Sequence, residues 1–123
     1  MMLLPEENIA MFGSNMFGIK EIDAAELHSL LSEKKNLALV DVRGDNEVAY
    51  GVIEGALHLP LHLLPFKADE FDKDVHTVFY CRSGARSAQA CAFMAAKGHG
   101  NVYNLQGGIM AWAQSGLALS RVA

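Results

Sequence analysis

The chain lacks much that would announce a function. It has two cysteines among 123 residues, Cys81 and Cys91, ten apart and not at a metal-binding C-x-x-C spacing, so neither a disulfide framework nor a zinc site is indicated. Positive charge is scarce as well. The net charge of -4 excludes a general nucleic-acid or acidic-membrane partner, because phosphate binding needs a surplus of Lys and Arg. No apolar run approaches the ~18 residues that crossing a bilayer requires. The opening Met1-Met2-Leu3-Leu4-Pro5-Glu6-Glu7 has no basic region of the kind a secretory leader carries, so a cytoplasmic location is the default expectation. Internal repeats and low-complexity tracts are missing, and three prolines leave few obligatory breaks.

What is present suits one soluble domain. Half of the residues are apolar (51%) and a fifth charged (20%), a globular balance. A chain of this length buries about two-thirds of the surface it would expose unfolded, enough for one core. Residues 1–18 show no period, and they read as an N-terminal arm. Its apolar Ile9, Met11, Phe12, Met16 and Phe17 can cover an edge of the domain or mediate a dimer. The domain itself is expected over 19–123.

From Ile19 onward the periods sharpen. Asp23 followed by Glu26 is a capping-box pattern, and Leu27, Leu30 and Leu31 recur at helical spacing, which predicts a helix over 24–34. Short apolar runs at 37–42, 56–59, 77–80 and 101–105 predict strands covered on both faces. An alanine-rich segment over 87–97, stopped by Gly98, predicts a helix between the last two. Its small-residue face of Ala88, Cys91, Ala92 and Ala95 is expected to pack on the sheet, with Cys91 inert inside it. Strand, helix, strand in succession makes an α/β fold with a central, mostly parallel sheet and helices on both faces.

The chemistry concentrates in Cys81-Arg82-Ser83-Gly84-Ala85-Arg86-Ser87, between a strand end and a helix start. Sites in parallel sheets form there, where loop N–H groups and the helix N-terminus together favour an anion. A cysteine opening such a cradle is predicted to ionise readily and act as a nucleophile. Two of the four arginines, Arg82 and Arg86, carry planar forks that suit an oxyanion. Gly84 permits a positive φ. Ser83 and Ser87 offer hydroxyl donors, and Ser87 is placed to cap the helix. His58 and His62 lie four apart, but Pro60 between them argues against a shared helical metal face, and no metal site or cofactor is expected. Asp41 and Arg43 are read as scaffold, either orienting the active loop or through an Arg43–Glu47 ion pair. Trp112 is read as packing the last helix on the core.

The loop over 81–87, preceded by an apolar strand, resembles the active-site loop of the rhodanese family. Asp41-Val42-Arg43, Glu47 and the segment Gly51-Val52-Ile53-Glu54-Gly55-Ala56 resemble the family's first signature, with Val52 where the family commonly has His. Leu105-Gln106-Gly107-Gly108 with Ala111-Trp112 resembles its last. The resemblance runs from about 19 to 117 and implies a three-layer fold on a five-stranded sheet. It also implies a sulfurtransferase in which catalytic Cys81 takes a sulfane sulfur as a persulfide. The donor would be thiosulfate or a related persulfide bound by Arg82, Ser83, Gly84, Ala85, Arg86 and Ser87. The acceptor would be a thiol or cyanide, with a sulfur-carrier protein as a possible partner. Two alternatives are a non-catalytic rhodanese-like binding module and a Cys-based phosphatase or arsenate reductase. The second resembles C-x5-R, whereas here Arg86 stands one residue too early and Ser87 occupies the arginine's place.

Overall fold

The computed structural model describes residues 18–121, so the expectations for the arm lie outside the described residues apart from Gly18. Five strands, β1 (Glu21–Ile22), β2 (Leu37–Asp41), β3 (Leu57–His58), β4 (His76–Tyr80) and β5 (Val102–Leu105), form one sheet in the order β1-β5-β4-β2-β3. Every ladder is parallel, so the expected "mostly parallel" sheet is parallel throughout. An isolated antiparallel bridge also joins Val52 to Ser120, which makes Val52 a structural position.

Around the sheet lie α1 (Ala24–Ser32), α2 (Asp45–Val48), α3 (Leu64–Lys67), α4 (Ala85–Ala96) and α5 (Gly108–Gln114), with 3-10 turns over Leu61–Leu63 and Ala68–Glu70. The period-two alternation of each strand divides the core into two. Leu39, Val78, Tyr80, Tyr103 and Leu105 face one side, where Leu27 and Leu30 of α1 and Ile109 and Trp112 of α5 close over them. Val40, Phe79 and Val102 face the other, under Leu64 and under Ala90, Cys91 and Met94 of α4. The helices thus cover both faces, as the continuous apolar strands required.

Local chemistry explains where the elements differ from the sequence reading. Asp23 caps α1 by accepting from the Glu26 N–H at 2.8 Å, as expected. The helix stops at Ser32 rather than 34 because Lys34 turns left-handed, with φ +56°. Helix α4 begins two residues earlier than predicted. Gly84, with φ +110°, is its N-cap, so Ser87 lies inside the first turn and does not cap it. The buried face of α4 is Ser87, Ala90, Cys91 and Met94, rotated from the predicted Ala88-Cys91-Ala92-Ala95 stripe. Large Met94 and the site's own Ser87 turn inward, and the small alanines at 92 and 95 are exposed. Strand β1 was unpredicted, since two residues carry no period. It is held by Asn104 donating to the Lys20 carbonyl and Gln106 to that of Ile22. No helix among the described residues is long and apolar enough to cross a membrane.

Candidate active site

Because all strands run one way, their C-terminal ends share an edge, and β4 is the middle strand of five. Cys81 follows it directly. The thiol is 1% exposed, and its surroundings decide whether it is an inert core residue or a reactive one. The Gly84 N–H donates to Cys81 Sγ at 3.1 Å, and the Ser87 hydroxyl lies 3.4 Å from the same sulfur. Burial opposes ionisation, but the Ser87 hydroxyl and the N–H groups of Ser87, Gly84 and Ser83 outweigh it and hold the thiol below its ordinary value. Cys91 has no such donors, and burial pushes its thiol well up.

The loop owes its inward-facing amides to the start of α5. Ile109 N–H donates to the Cys81 carbonyl at 2.9 Å and Met110 N–H to the Arg82 carbonyl at 3.1 Å. These are first-turn amides with no partner inside their own helix. With both carbonyls drawn toward α5, the following amides of the loop are left to face the sulfur. The approach is close enough to demand glycine. A Cβ on Gly108, whose φ is +61°, would stand 2.4 Å from the Arg82 oxygen. Gly108 of the last signature is thereby explained by backbone contact with the loop, whereas a Cβ on Gly107, whose φ is +75°, would stand 2.6 Å from the Ala111 Cβ of α5 itself.

The arginines divide sharply. Arg86 gives its whole fork to Glu47, Nη1 to Oε1 at 2.6 Å and Nη2 to Oε2 at 2.8 Å, and Glu47 also accepts from the Gly44 N–H at 3.1 Å. The Arg86 guanidinium and the Gly44 amide, working against some burial, hold the Glu47 carboxyl down to about 2. The fork expected to bind an oxyanion is therefore committed to a carboxylate. Arg43, expected to pair with Glu47 or to orient the loop with Asp41, does neither. It binds buried Asp41, Nη2 to Oδ2 at 2.7 Å, and the Gly51 carbonyl at 2.7 Å, tying the two halves of the first signature together. Glu47 sits on α2 within reach of α4, and Arg86 takes both of its carboxylate oxygens. Arg82 is exposed and has no ion-pair partner among the described residues, while Ser83 and Ala85 are exposed at the rim.

Asn104 was missed. It is 2% exposed on β5, accepts from the Ser87 hydroxyl at 2.5 Å, and donates to the Gly84 carbonyl at 3.1 Å and to Glu21 Oε2 at 3.2 Å. Its signal was legible, a lone amide inside the buried run Val102-Tyr103-Asn104-Leu105, since a buried polar side chain must find partners.

A cysteine held by loop amides at the C-terminal edge of a parallel α/β sheet, ahead of a helix N-terminus, defines a class of α/β domain in which the loop lowers the pKa of one thiol. The family follows from comparison. The profile described as Rhodanese-like domain matches residues 23–115, and the chain belongs to that family. It is 48% identical over 101 residues to a sulfurtransferase of Allochromatium vinosum, covering 82% of this chain and 94% of the relative. It is 44% identical over 94 residues to the putative sulfurtransferase YtwF of Bacillus subtilis, covering 76% and 90%. A crystal structure of a rhodanese-like domain protein from Staphylococcus aureus superposes with a TM-score of 0.76 at 32% identity, over 85% of this chain and all (100%) of that one.

Proposed function

We propose that this rhodanese-like domain is a sulfurtransferase that moves a sulfane sulfur from thiosulfate or a related persulfide donor to a thiol or cyanide through a persulfide on Cys81. The observation that carries the reading is the pair of donors on one buried sulfur, Gly84 N–H and Ser87 Oγ, in a loop whose first two carbonyls, those of Cys81 and Arg82, bond to the amides of α5. The names of the relatives from Allochromatium vinosum and Bacillus subtilis support it.

In the first step a lone pair of the Cys81 thiolate attacks the outer sulfur of thiosulfate. The S–S bond of the donor breaks and sulfite leaves with its electron pair, so no outside oxidant is needed. In the second step the acceptor's thiolate, or cyanide, attacks the outer sulfur of the persulfide and Cys81 departs as the thiolate. Splitting the transfer in two is covalent catalysis, and amides oriented beforehand stabilise the sulfur anion in each half. Among the loop residues, the N–H groups of Ser83, Gly84 and Ser87 and the Ser87 hydroxyl serve the sulfur, the side chains of Arg82, Ser83 and Ala85 stand at the rim where the donor arrives, and Arg86, paired with Glu47, contributes a largely compensated charge. A carrier protein's persulfide is an alternative donor of the same chemistry.

Phosphoryl or arsenate chemistry is less well supported. It would ask a guanidinium to cradle the anion at the loop's end, and here that place holds the Ser87 hydroxyl while Arg86 is paired. A purely binding role leaves the lowered Cys81 thiol without a purpose. The deciding experiment is mass spectrometry of the protein after incubation with thiosulfate. A gain of one sulfur, mapped to Cys81 and discharged by cyanide, is expected. A wild-type protein that gains nothing, or a Cys81→Ser variant that gains as much, would sink the proposal.

A further inference from the structure

Ser87 Oγ carries one hydrogen and has two acceptors within reach, Asn104 Oδ1 at 2.5 Å and Cys81 Sγ at 3.4 Å. A hydroxyl donates one hydrogen and offers two lone pairs, so it serves one acceptor at a time. The nearer acceptor is held in place. Asn104 Nδ2 donates to two oxygens, the Gly84 carbonyl at 3.1 Å and Glu21 Oε2 at 3.2 Å. Turning the amide over would set its oxygen against both of them, so Oδ1 stays on Ser87. Asn104 and Ser87 are both buried, which confines the contest to these two acceptors.

We infer that Asn104 is a positioning residue for the sulfur chemistry, holding the Ser87 hydroxyl hydrogen on its Oδ1 while Cys81 is a thiol and ceding it to Sγ when the sulfur becomes an anion. In the thiol form Ser87 Oγ accepts from the Cys81 S–H. When that bond breaks and the proton passes to solvent, the hydroxyl rotates about its Cβ–Oγ bond and donates to Sγ. Asn104 Oδ1 is then left without its hydrogen. Losing that buried bond opposes ionisation, so Asn104 makes Cys81 a weaker acid than an uncommitted Ser87 would. The functional consequence rests on the sulfur-transfer reading. A thiolate pulled to very low pKa is abundant but sluggish, and intrinsic nucleophilicity falls as pKa falls. The amide keeps the sulfur between those extremes.

The charged and titratable groups on the elements packed about the loop are Arg86 on α4 with its partner Glu47 on α2, Arg82 in the loop, Asp41 at the end of β2 with its partner Arg43 two residues on, and Tyr80 at the end of β4. Glu21 on β1 faces Asn104. All of these remain unchanged in the variants below.

The test is the pH dependence of Cys81 alkylation by iodoacetamide, with the modified residue assigned by mass spectrometry. Asn104→Leu removes the acceptor at similar volume, and the midpoint is expected to fall by about half a pH unit to one unit. Ser87→Ala should raise it by about one unit. Asn104→Leu placed in the Ser87→Ala background should leave the midpoint at the Ser87→Ala value, because the two residues act through one hydrogen. Asn104→Val, shorter and at home in a strand, serves if the leucine variant does not fold. A folded Asn104 variant with the wild-type midpoint overturns the inference. So does a shift that survives in the Ser87→Ala background, since Asn104 would then act through the Gly84 carbonyl. Alkylation needs no sulfur donor, so these midpoints stand whether or not Cys81 loads sulfur from thiosulfate. Unshifted midpoints in a protein that does load sulfur would remove the inference alone.

Discussion

Arg86 and Arg82 lie four residues apart in one loop and helix start, yet their electrostatic roles differ. The Arg86 charge is cancelled by a carboxylate held in the anionic form at any working pH, whereas Arg82 is exposed with no ion-pair partner among the described residues. A divalent donor such as thiosulfate should therefore feel Arg82 more than Arg86. Steady-state kinetics checks this. Arg82→Ala is expected to raise the thiosulfate KM about three- to tenfold, the effect of losing one fixed charge near an anion, with a smaller rise for Arg86→Ala. Glu47→Gln keeps the contact and frees the positive charge, and it is expected to lower KM. If Glu47→Gln raises KM instead, the pair is needed to shape the loop. Cys91 has no donors and a raised thiol, so Cys91→Ser should leave sulfite release from thiosulfate unchanged.

Among the elements, the contact between α5 and the active loop decides the site. Two first-turn amides of the helix satisfy two carbonyls of the loop, and Gly108 lets the backbones meet. Gly108→Ala places a methyl 2.4 Å from the Arg82 oxygen at a φ of +61°. Relief requires that the helix and loop separate. A loss of about 2–4 kcal/mol in urea unfolding is expected, together with an alkylation midpoint for Cys81 nearer that of an ordinary thiol. A stable variant with the wild-type midpoint would show that the loop holds its shape without the helix. The same element scale separates what was readable from what was not. The strands expected over 37–42 and 77–80 form over 37–41 and 76–80; they were legible because each is built on a short apolar run. Two-residue β1 and the short helices over 61–70 were not, since segments that brief have no period and owe their form to the sheet edge and loops they join.

For the whole molecule, the Glu47–Arg86 pair joins the connection after β2 to the helix after β4, bridging the edge where the site lies. Its pH dependence has a definite sign. The Glu47 carboxyl titrates near 2 in the folded chain against an ordinary 4.5, so its contribution is complete above 4.5 and is lost as pH falls toward 2. The gap in unfolding free energy between wild type and Glu47→Gln is expected to be constant above about pH 5 and to close between there and pH 2. Urea denaturation at several pH values measures it, and a gap independent of pH would remove the pair from the account of acid stability.

The residue order alone determined the α/β plan, the strand before Cys81, the helix after it and the pairing of a thiol with a glycine-bearing anion loop. Those features are local: periodicity, capping and turn chemistry act over a few residues, and a parallel sheet then brings strand ends to one edge. Only the tertiary structure decided which partner each charged or polar group would take. Glu47 chose Arg86 over Arg43, Ser87 turned to Asn104 and the sulfur instead of the helix cap, and the amides of α5 seized the loop carbonyls. Such choices depend on distances of a few ångströms between segments up to 83 residues apart, as for Asn104 and Glu21, and sequence spacing carries no measure of them.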